Sequence, residues 1–534
     1  MKTDKIVILG GGSAGWMSAA TLIRAFPEKD ISVIESPDVP SVGVGESTLG
    51  HIRRWTRYIG LDEKDFIPFT DATYKFSIKF TDFHKKDSGA FHYPFGLPYQ
   101  ENEEDLIFPT WYTMRHFYPE LEPRSFVDMT FPGSKLWENN KYYANEDGRL
   151  GNFDPSTAVA YHFDSIKFGL WLKERYCIPR GVKHIAKHME HAEVGEDGIE
   201  YLLMSDGEKI TADLYVDSTG FRSLLLDKTL HEPFISYSDI IPNNTAWAVQ
   251  IPYKDKYKEL EPFTNCTAIE NGWCWNIPLW SRIGAGYIYS DKYVSDEDAL
   301  EQFKNYLCSD KMTVPRTREE VDSYTYKQIK TRIGIHKRTF VKNVVAIGLS
   351  AGFIEPLESN GLLSVHEFLL MLVRTLSRGG EVTEFDRLWY NNEVMDMFDG
   401  FAKFVAMHYA MSQRNDTQYW KDVSNREYAE VRGGEYITRN QTKSSTFFAA
   451  QRKFFDMWGT PYNLIDGSLY IAAGMNYNPL SKFEFEDKKL FEPNLEENVR
   501  NVYEKWQERE KNWESVAKEA PHIVDYLKNN FYSE

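Results

Sequence analysis

The stretch KIVILGGGSAGWM, residues 5–17, constrains the fold of this chain more than any other. KIVILG is a short, β-branched apolar run, the pattern of a parallel strand buried on both faces. Gly10, Gly12 and Gly15 follow in GxGxxG spacing, with Ser13 and Ala14 between the last two, and a helical stretch, WMSAATLIRAF, comes next. A second apolar strand, DISVIE (30–35), ends in Glu35, where the dinucleotide fingerprint places an acid. Each part has a physical task. The glycines let backbone approach a pyrophosphate, the helix start favours its charge, and Glu35 can accept from a ribose hydroxyl. Together they imply a bound dinucleotide, FAD or NAD.

Further pieces of the same module are scattered along the chain. GVGEST (43–48) is a second glycine-rich loop, with Gly45, Glu46 and Ser47. ADLYVDSTGFRS (212–223) reads as an apolar strand ending in Asp217 and Gly220, and VVAIGLSAGFIEP (344–356) as a strand, a glycine and a turn around Leu349. A dinucleotide domain assembled from pieces this far apart, with a substrate region inserted between them, favours FAD over NAD.

At 534 residues the chain exceeds one ordinary domain, and 42% hydrophobic with 15% aromatic residues supplies a large core. A formal charge of −17 argues against nucleic acid as a partner. The four cysteines show no CxxC, and the 13 histidines form no HExxH pair, so no metal is expected. The most apolar long segment, GLLSVHEFLLMLVRTL (361–376), carries His366, Glu367 and Arg374 and is too short to span a bilayer. With no basic-then-apolar leader, a cytoplasmic protein without membrane association is the expectation.

Three segments carry chemistry of a less common kind. In TYKFSIKF (73–80) a period of two places Phe76, Ile78 and Phe80 on one face and Lys75, Ser77 and Lys79 on the other. That fits an edge strand with solvated lysines, or a strand that buries an amine. In GFIEPLESNGLLSVHEF (352–368) a helix starts just after Gly361, so the amides of Asn360 and Gly361 stand at a helix N-terminus, suited to an anion. A merely capped helix start is the other reading. GWCWNIP (272–278) puts Trp273 and Trp275 on one face of a strand that ends at Pro278, as core or as the wall of a cavity.

Taken together, these motifs resemble the flavin-dependent halogenases, the tryptophan halogenase family. The resemblance runs through GGGSAGWM, GVGEST, TYKFSIKF, YPFG (93–96), AYHFD (160–164), DSTGFRSLL (217–225), GWCWNIP, GFIEPLESNG, and the His408–Tyr409 pair with Arg414 and Trp420 downstream. It implies FAD held by the residues named above together with Met189, and reduced FAD delivered by a separate flavin reductase. In that family reduced FAD, O2 and a bound halide give hypohalous acid. The acid crosses a tunnel to a catalytic lysine, which halogenates an electron-rich aromatic carbon.

By the resemblance Lys75 is that lysine, Glu358 the carboxylate beside the reacting ring, and Asn360 with Gly361 the halide site. Asn360 stands where the family usually has Thr, which bears on the choice among chloride, bromide and iodide. Tyr93, Phe95, Trp273, Trp275 and Trp458 fall at substrate pocket or tunnel positions. Tyr93 replaces a His of the free-tryptophan enzymes. The stretch STFFAAQRKFFDMWGTPYNL (445–464) does not match their amino-acid grip without gaps. A small indole- or phenol-like aromatic, or a larger scaffold, is therefore expected rather than tryptophan.

The expected architecture is α/β: a Rossmann-like FAD-binding module of the flavin monooxygenase type over residues 1–360, with β-rich insertions near 74–150 and 230–330. A mainly helical region, 361–534, completes the substrate pocket, and a homo-oligomer is left open. Two rival functions use the same fold. An aromatic monooxygenase would not need Lys75, and a flavin-binding redox protein without turnover would hold FAD tightly.

Overall fold

A computed structural model describes residues 1–38, 46–99, 107–143, 150–425, 464–476 and 482–532. Gly45 and Trp458 lie outside these residues, and of Glu46 only the backbone is described. The chain forms two compact units, each drawn from three segments. The first takes residues 1–72, 162–246 and 328–402, the second 73–161, 247–327 and 403–534. The boundary set near 360 from sequence falls within the last segment of the first unit.

In the first unit the strand Lys5–Leu9 pairs in parallel with Asp30–Glu35 on one side and Leu214–Asp217 on the other, Val7 lying opposite Ser32 and Tyr215. Lys183–Ala186 and Val344–Ala346 extend the sheet in parallel, and Phe340–Val341 closes one edge antiparallel. Helix Ser13–Ala25 buries every residue from Gly15 to Ile23. A helix covered all round needs neighbours on several sides. It packs on the sheet, on helix Gly361–Leu376 and on helix Ser165–Trp171. Met189 begins the edge strand of a separate antiparallel sheet, Met189–Gly195, Gly198–Met204 and Lys209–Ile210. That sheet's Ile199, Leu202 and Met204 share a core with Val7, Leu9 and Tyr215.

The second unit is built on a sheet in which Thr245–Ile251, Ile283–Tyr289, Gly272–Pro278, Phe263–Ile269, Ser77–Thr81 and Ala90–Pro94 lie side by side in that order. The insertion after residue 73 departs from the β-rich expectation. Past Pro94 it turns helical, at Ile107–Phe117, Ser125–Thr130 and Ser134–Trp137. The reason is the pattern: the buried pairs Trp111 and Met114, then Phe126 and Met129, recur three residues apart, a helical spacing. Helix Leu495–Glu519 buries Leu495, Val499, Trp506, Trp513 and Ala517 in one stripe, and with it packs on these helices. Among the described residues no helix is long and apolar enough to cross a membrane.

All seven residues of the GWCWNIP strand are buried, and the strand is central, with Ala268 and Ile288 facing Trp273 from its two neighbours. The indoles of Trp273 and Trp275 lie 6.1 Å apart at 60°. Trp275 is opposite Gly286, where a Cβ would stand 2.1 Å from its ring. The downstream histidine-to-tryptophan motif braces the neighbouring strand. Arg414 donates to the Ala268 carbonyl and stacks 4.5 Å from Trp420, whose Nε1 donates to the Ile269 carbonyl. The Gly286→Ala variant should therefore displace the Trp275 ring. A loss of about 1–3 kcal/mol, with altered tryptophan fluorescence, is expected in thermal and urea unfolding.

Candidate active site

In the first unit the glycine loop leaves no room for side chains. Gly10 has φ +112°, and a Cβ there would lie 2.3 Å from the Ser218 carbonyl oxygen. A Cβ on Gly15 would lie 1.9 Å from the Gly10 carbonyl oxygen. Gly12 caps the following helix without any side-chain bond, so no side chain of the cap residue satisfies the first amides of the helix. Ser13 instead uses its hydroxyl to hold the Ser165 carbonyl at 2.8 Å. Glu35 closes over the loop, its carboxylate bonded at 2.9 Å by Lys173. This glycine cradle with an acid at its edge fits the diphosphate and ribose of FAD.

Asp217 organises the far side of the cradle. Its buried carboxylate accepts from the Thr219 amide and hydroxyl and from the amides of Leu225 and Leu226, at 2.6–3.1 Å. Its carbonyl takes the Ile347 amide at 2.9 Å and the Ser350 hydroxyl. Ser223, in a left-handed conformation, donates to the Ser350 carbonyl at 2.9 Å. Two motifs over 120 residues apart, DSTGFRS and IGLSAGF, thereby become one surface that holds Gly220 and Leu349. Gly348, φ +75°, lets this turn approach Ala14, since a Cβ would lie 2.9 Å from the Ala14 methyl. Met189 packs against the core that Val7, Leu9, Ile199 and Leu202 form.

The turn Pro356–Glu358 leads into helix Gly361–Leu376 through Ser359, whose φ is +55°. Ser359 donates to the Ser47 hydroxyl at 3.0 Å, which joins the GVGEST segment to this turn. Glu358 is fully buried. Asn360 is the N-cap residue yet makes no capping bond, and its buried Oδ1 has no hydrogen-bond donor among the described residues. An uncapped helix start with a buried carboxamide beside it is a setting for a small anion.

Lys75 belongs to the second unit. The run TYKFSIKF is not one alternating strand. It breaks at Phe76 into Thr73–Lys75 and Ser77–Thr81 and is buried on both faces. The Phe76 amide leaves the ladder to bond the Pro262 carbonyl, and the Phe76 carbonyl takes the Phe95 amide. Lys75 is 0% exposed, its Nζ 4.9 Å from the Phe95 ring centroid, which rules out a solvated edge lysine. Thr73 donates to the Pro278 carbonyl at 2.6 Å, so the end of GWCWNIP anchors the start of the lysine strand.

Tyr93 meets Phe95 and Phe404 edge to face at 6.1 and 6.0 Å, with Tyr470 also at 6.0 Å. Gly467 makes room for it, because a Cβ there would come within 2.9 Å of the Tyr93 hydroxyl. His92 turns the other way, bonds Ser77 at 2.8 Å and stacks on Trp137, and burial pushes it well below its usual range. It is no substitute for a histidine at position 93. Sequence reading missed Phe404, Tyr470 and Gly467 here, and Lys173 at Glu35. Phe404 was within reach, one helical turn before His408.

Comparisons with known proteins converge on one family. The family described as tryptophan halogenase matches residues 5–463. Tryptophan 6-halogenase SttH from Streptomyces toxytricini is 33% identical over 79% of this chain and 81% of its own length. Tryptophan 7-halogenase RebH from Lentzea aerocolonigenes is 32% identical, over 79% and 78%. Among solved structures, apo VirX1 superposes with a TM-score of 0.89 at 35% identity, over 100% of both chains. The SttH crystal structure does so with a TM-score of 0.82 at 28% identity, covering 98% of this chain and 99% of its own.

The Asp217→Asn variant would turn an amide N–H2 toward backbone amides that need an acceptor. FAD binding, measured by flavin fluorescence, should weaken roughly tenfold or more, and the thermal midpoint should fall.

Proposed function

This chain belongs to the tryptophan halogenase family, and we propose that it is a flavin-dependent halogenase acting on an electron-rich, indole- or phenol-like aromatic. The observation that carries this reading is Lys75, a fully buried primary amine held against the face of Phe95. The family resemblance assigns the catalytic amine to this position, and the burial places it beside an aromatic ring rather than in solvent.

The cradle residues would hold FAD, and when a separate flavin reductase delivers it reduced, the cofactor would supply, with O2, halide and a proton, hypohalous acid, the second oxygen atom leaving as water and the flavin ending oxidised. The chain's own residues do the rest. The helix start at Asn360 and Gly361 holds the halide by backbone amides. The Lys75 amine receives the halogen, either by hydrogen bonding to hypohalous acid or as a haloamine formed with loss of water. The ring then takes the halogen and gives up a proton, and Glu358 stabilises the positive charge that develops in between. Tyr93, Phe95 and Phe404 present ring edges and faces to a flat substrate. The names of SttH and RebH specify tryptophan. Tyr93 in place of a histidine supports a substrate without the free amino acid's charges.

With FAD, a flavin reductase, NADH and bromide, the protein should brominate a simple indole or phenol, read by mass spectrometry. Lys75→Ala should lower bromination at least ~100-fold while NADH-driven flavin reoxidation continues. A product that gains oxygen instead of bromine, unaffected by Lys75→Ala, would favour the monooxygenase reading. Asn360→Thr should change the chloride-to-bromide product ratio by roughly threefold to tenfold in direct competition.

A further inference from the structure

Glu35 is more constrained than the acid of a dinucleotide fold has to be. Its side chain is pressed over the glycine loop, so that a Cβ on Gly11 would lie 2.3 Å from its carboxyl carbon. Lys173 Nζ and His184 Nε2 both stand 2.9 Å from the same oxygen, Oε2. Only the lysine contact has hydrogen-bond geometry. The histidine flanks the oxygen without meeting it along a ring N–H direction, and its Nε2 is buried without a hydrogen bond. Among the described residues no donor reaches Oε1.

Lys173 is itself placed by an unusual piece of backbone. Helix Ser165–Trp171 runs straight into a π-helical turn, Leu172–Cys177, and Lys173 is in its opening residues. Wide turns of this kind are uncommon and often mark functional positions. The turn is pinned on helix Ser13–Ala25, where the Cys177 thiol lies 3.7 Å from the Trp16 carbonyl oxygen. The buried Trp16 indole then backs both side chains, with Lys173 Nζ 5.6 Å and the His184 ring 5.8 Å from its centroid.

We propose that Lys173 is a positioning residue for FAD, locking one oxygen of Glu35 so that Oε1 is presented to the ribose of the cofactor's adenosine half. His184 and Trp16 support it from either side. A glutamate free to rotate would lose side-chain entropy on binding the ribose, and the lysine removes that cost before the cofactor arrives. The lysine also offsets the carboxylate charge close to where the diphosphate lies. This inference rests on the FAD part of the function proposed above and on none of its halogen chemistry.

The experiment is an equilibrium titration of the full-length protein with oxidised FAD, followed by flavin fluorescence. Lys173→Met should raise the Kd roughly tenfold, and Lys173→Arg, which keeps a donor in reach, should stay within about threefold. The same Lys173→Met change in a Glu35→Gln background should add nothing, because the lysine acts only through that carboxylate. Thermal midpoints of the variants separate loss of affinity from loss of folding. An unchanged Kd in Lys173→Met, or an equal loss with and without Glu35, would overturn the inference. Wild-type protein that binds FAD yet halogenates nothing would remove the proposed function and leave this one standing. Wild-type protein that takes up no FAD would remove both.

Discussion

A carbonyl oxygen occupies the place where residue 15 would otherwise carry a side chain. The Gly10 oxygen lies 1.9 Å from where a Cβ on Gly15 would be. Because nothing larger than hydrogen fits, helix Ser13–Ala25 can start directly on the end of strand Lys5–Leu9. The rest of the first unit follows from that approach. The helix is buried along nine consecutive residues and serves as the surface on which helix Gly361–Leu376 and helix Ser165–Trp171 both rest. The first of these starts at Asn360, and the second leads to Lys173. A single backbone contact thus sets the height of the diphosphate cradle and the positions of two groups around it.

The second unit solves a different problem, that of placing a lysine where lysines are not normally tolerated. Its device is a break in a strand. With the Phe76 amide turned to Pro262 while its carbonyl keeps the rung to Phe95, Lys75 is set on a short separate strand next to an aromatic face. Around this break the unit is stiff. The tryptophan strand is paired on both sides along its whole length, and Arg414 and Trp420 clamp the strand next to it. Bracing of this kind would suit the catalytic role proposed for Lys75. The two tryptophans act first as packing, Gly286 giving up its side chain to seat one of them.

Much of this was legible in the order of residues. The glycine loop, the parallel strands and Glu35 form a local pattern with one common physical solution, and the structure has it. The strand-plus-turn segments around Asp217 and Leu349 were also recognisable one at a time. What could not be read was their union. The bonds that join them run from Ser223 and Ser350 to carbonyls 127 and 133 residues away, and hydroxyl-to-carbonyl bonds leave no periodic trace. The alternation of TYKFSIKF misled for the opposite reason. It is a pattern of side chains, and the break at Phe76 is made by the backbone. The helices at Ile107–Phe117 and Ser125–Thr130 had their three-residue spacing on view, but it was read as part of a β-rich insertion.

By itself, then, the sequence determined the dinucleotide fold, the family, and which lysine, carboxylate and helix start are the chemical candidates. The fold follows from short motifs whose spacing is set by backbone geometry within a few residues, and the lysine and carboxylate from the family resemblance that the motifs carry. Only the tertiary structure decided that Lys75 is wholly buried, that Tyr93 rather than His92 faces Phe404, and that Glu35 is held by Lys173. Burial and pairing of polar groups depend on what distant segments bring alongside. No local period encodes the partner of a side chain when that partner lies 138 residues away.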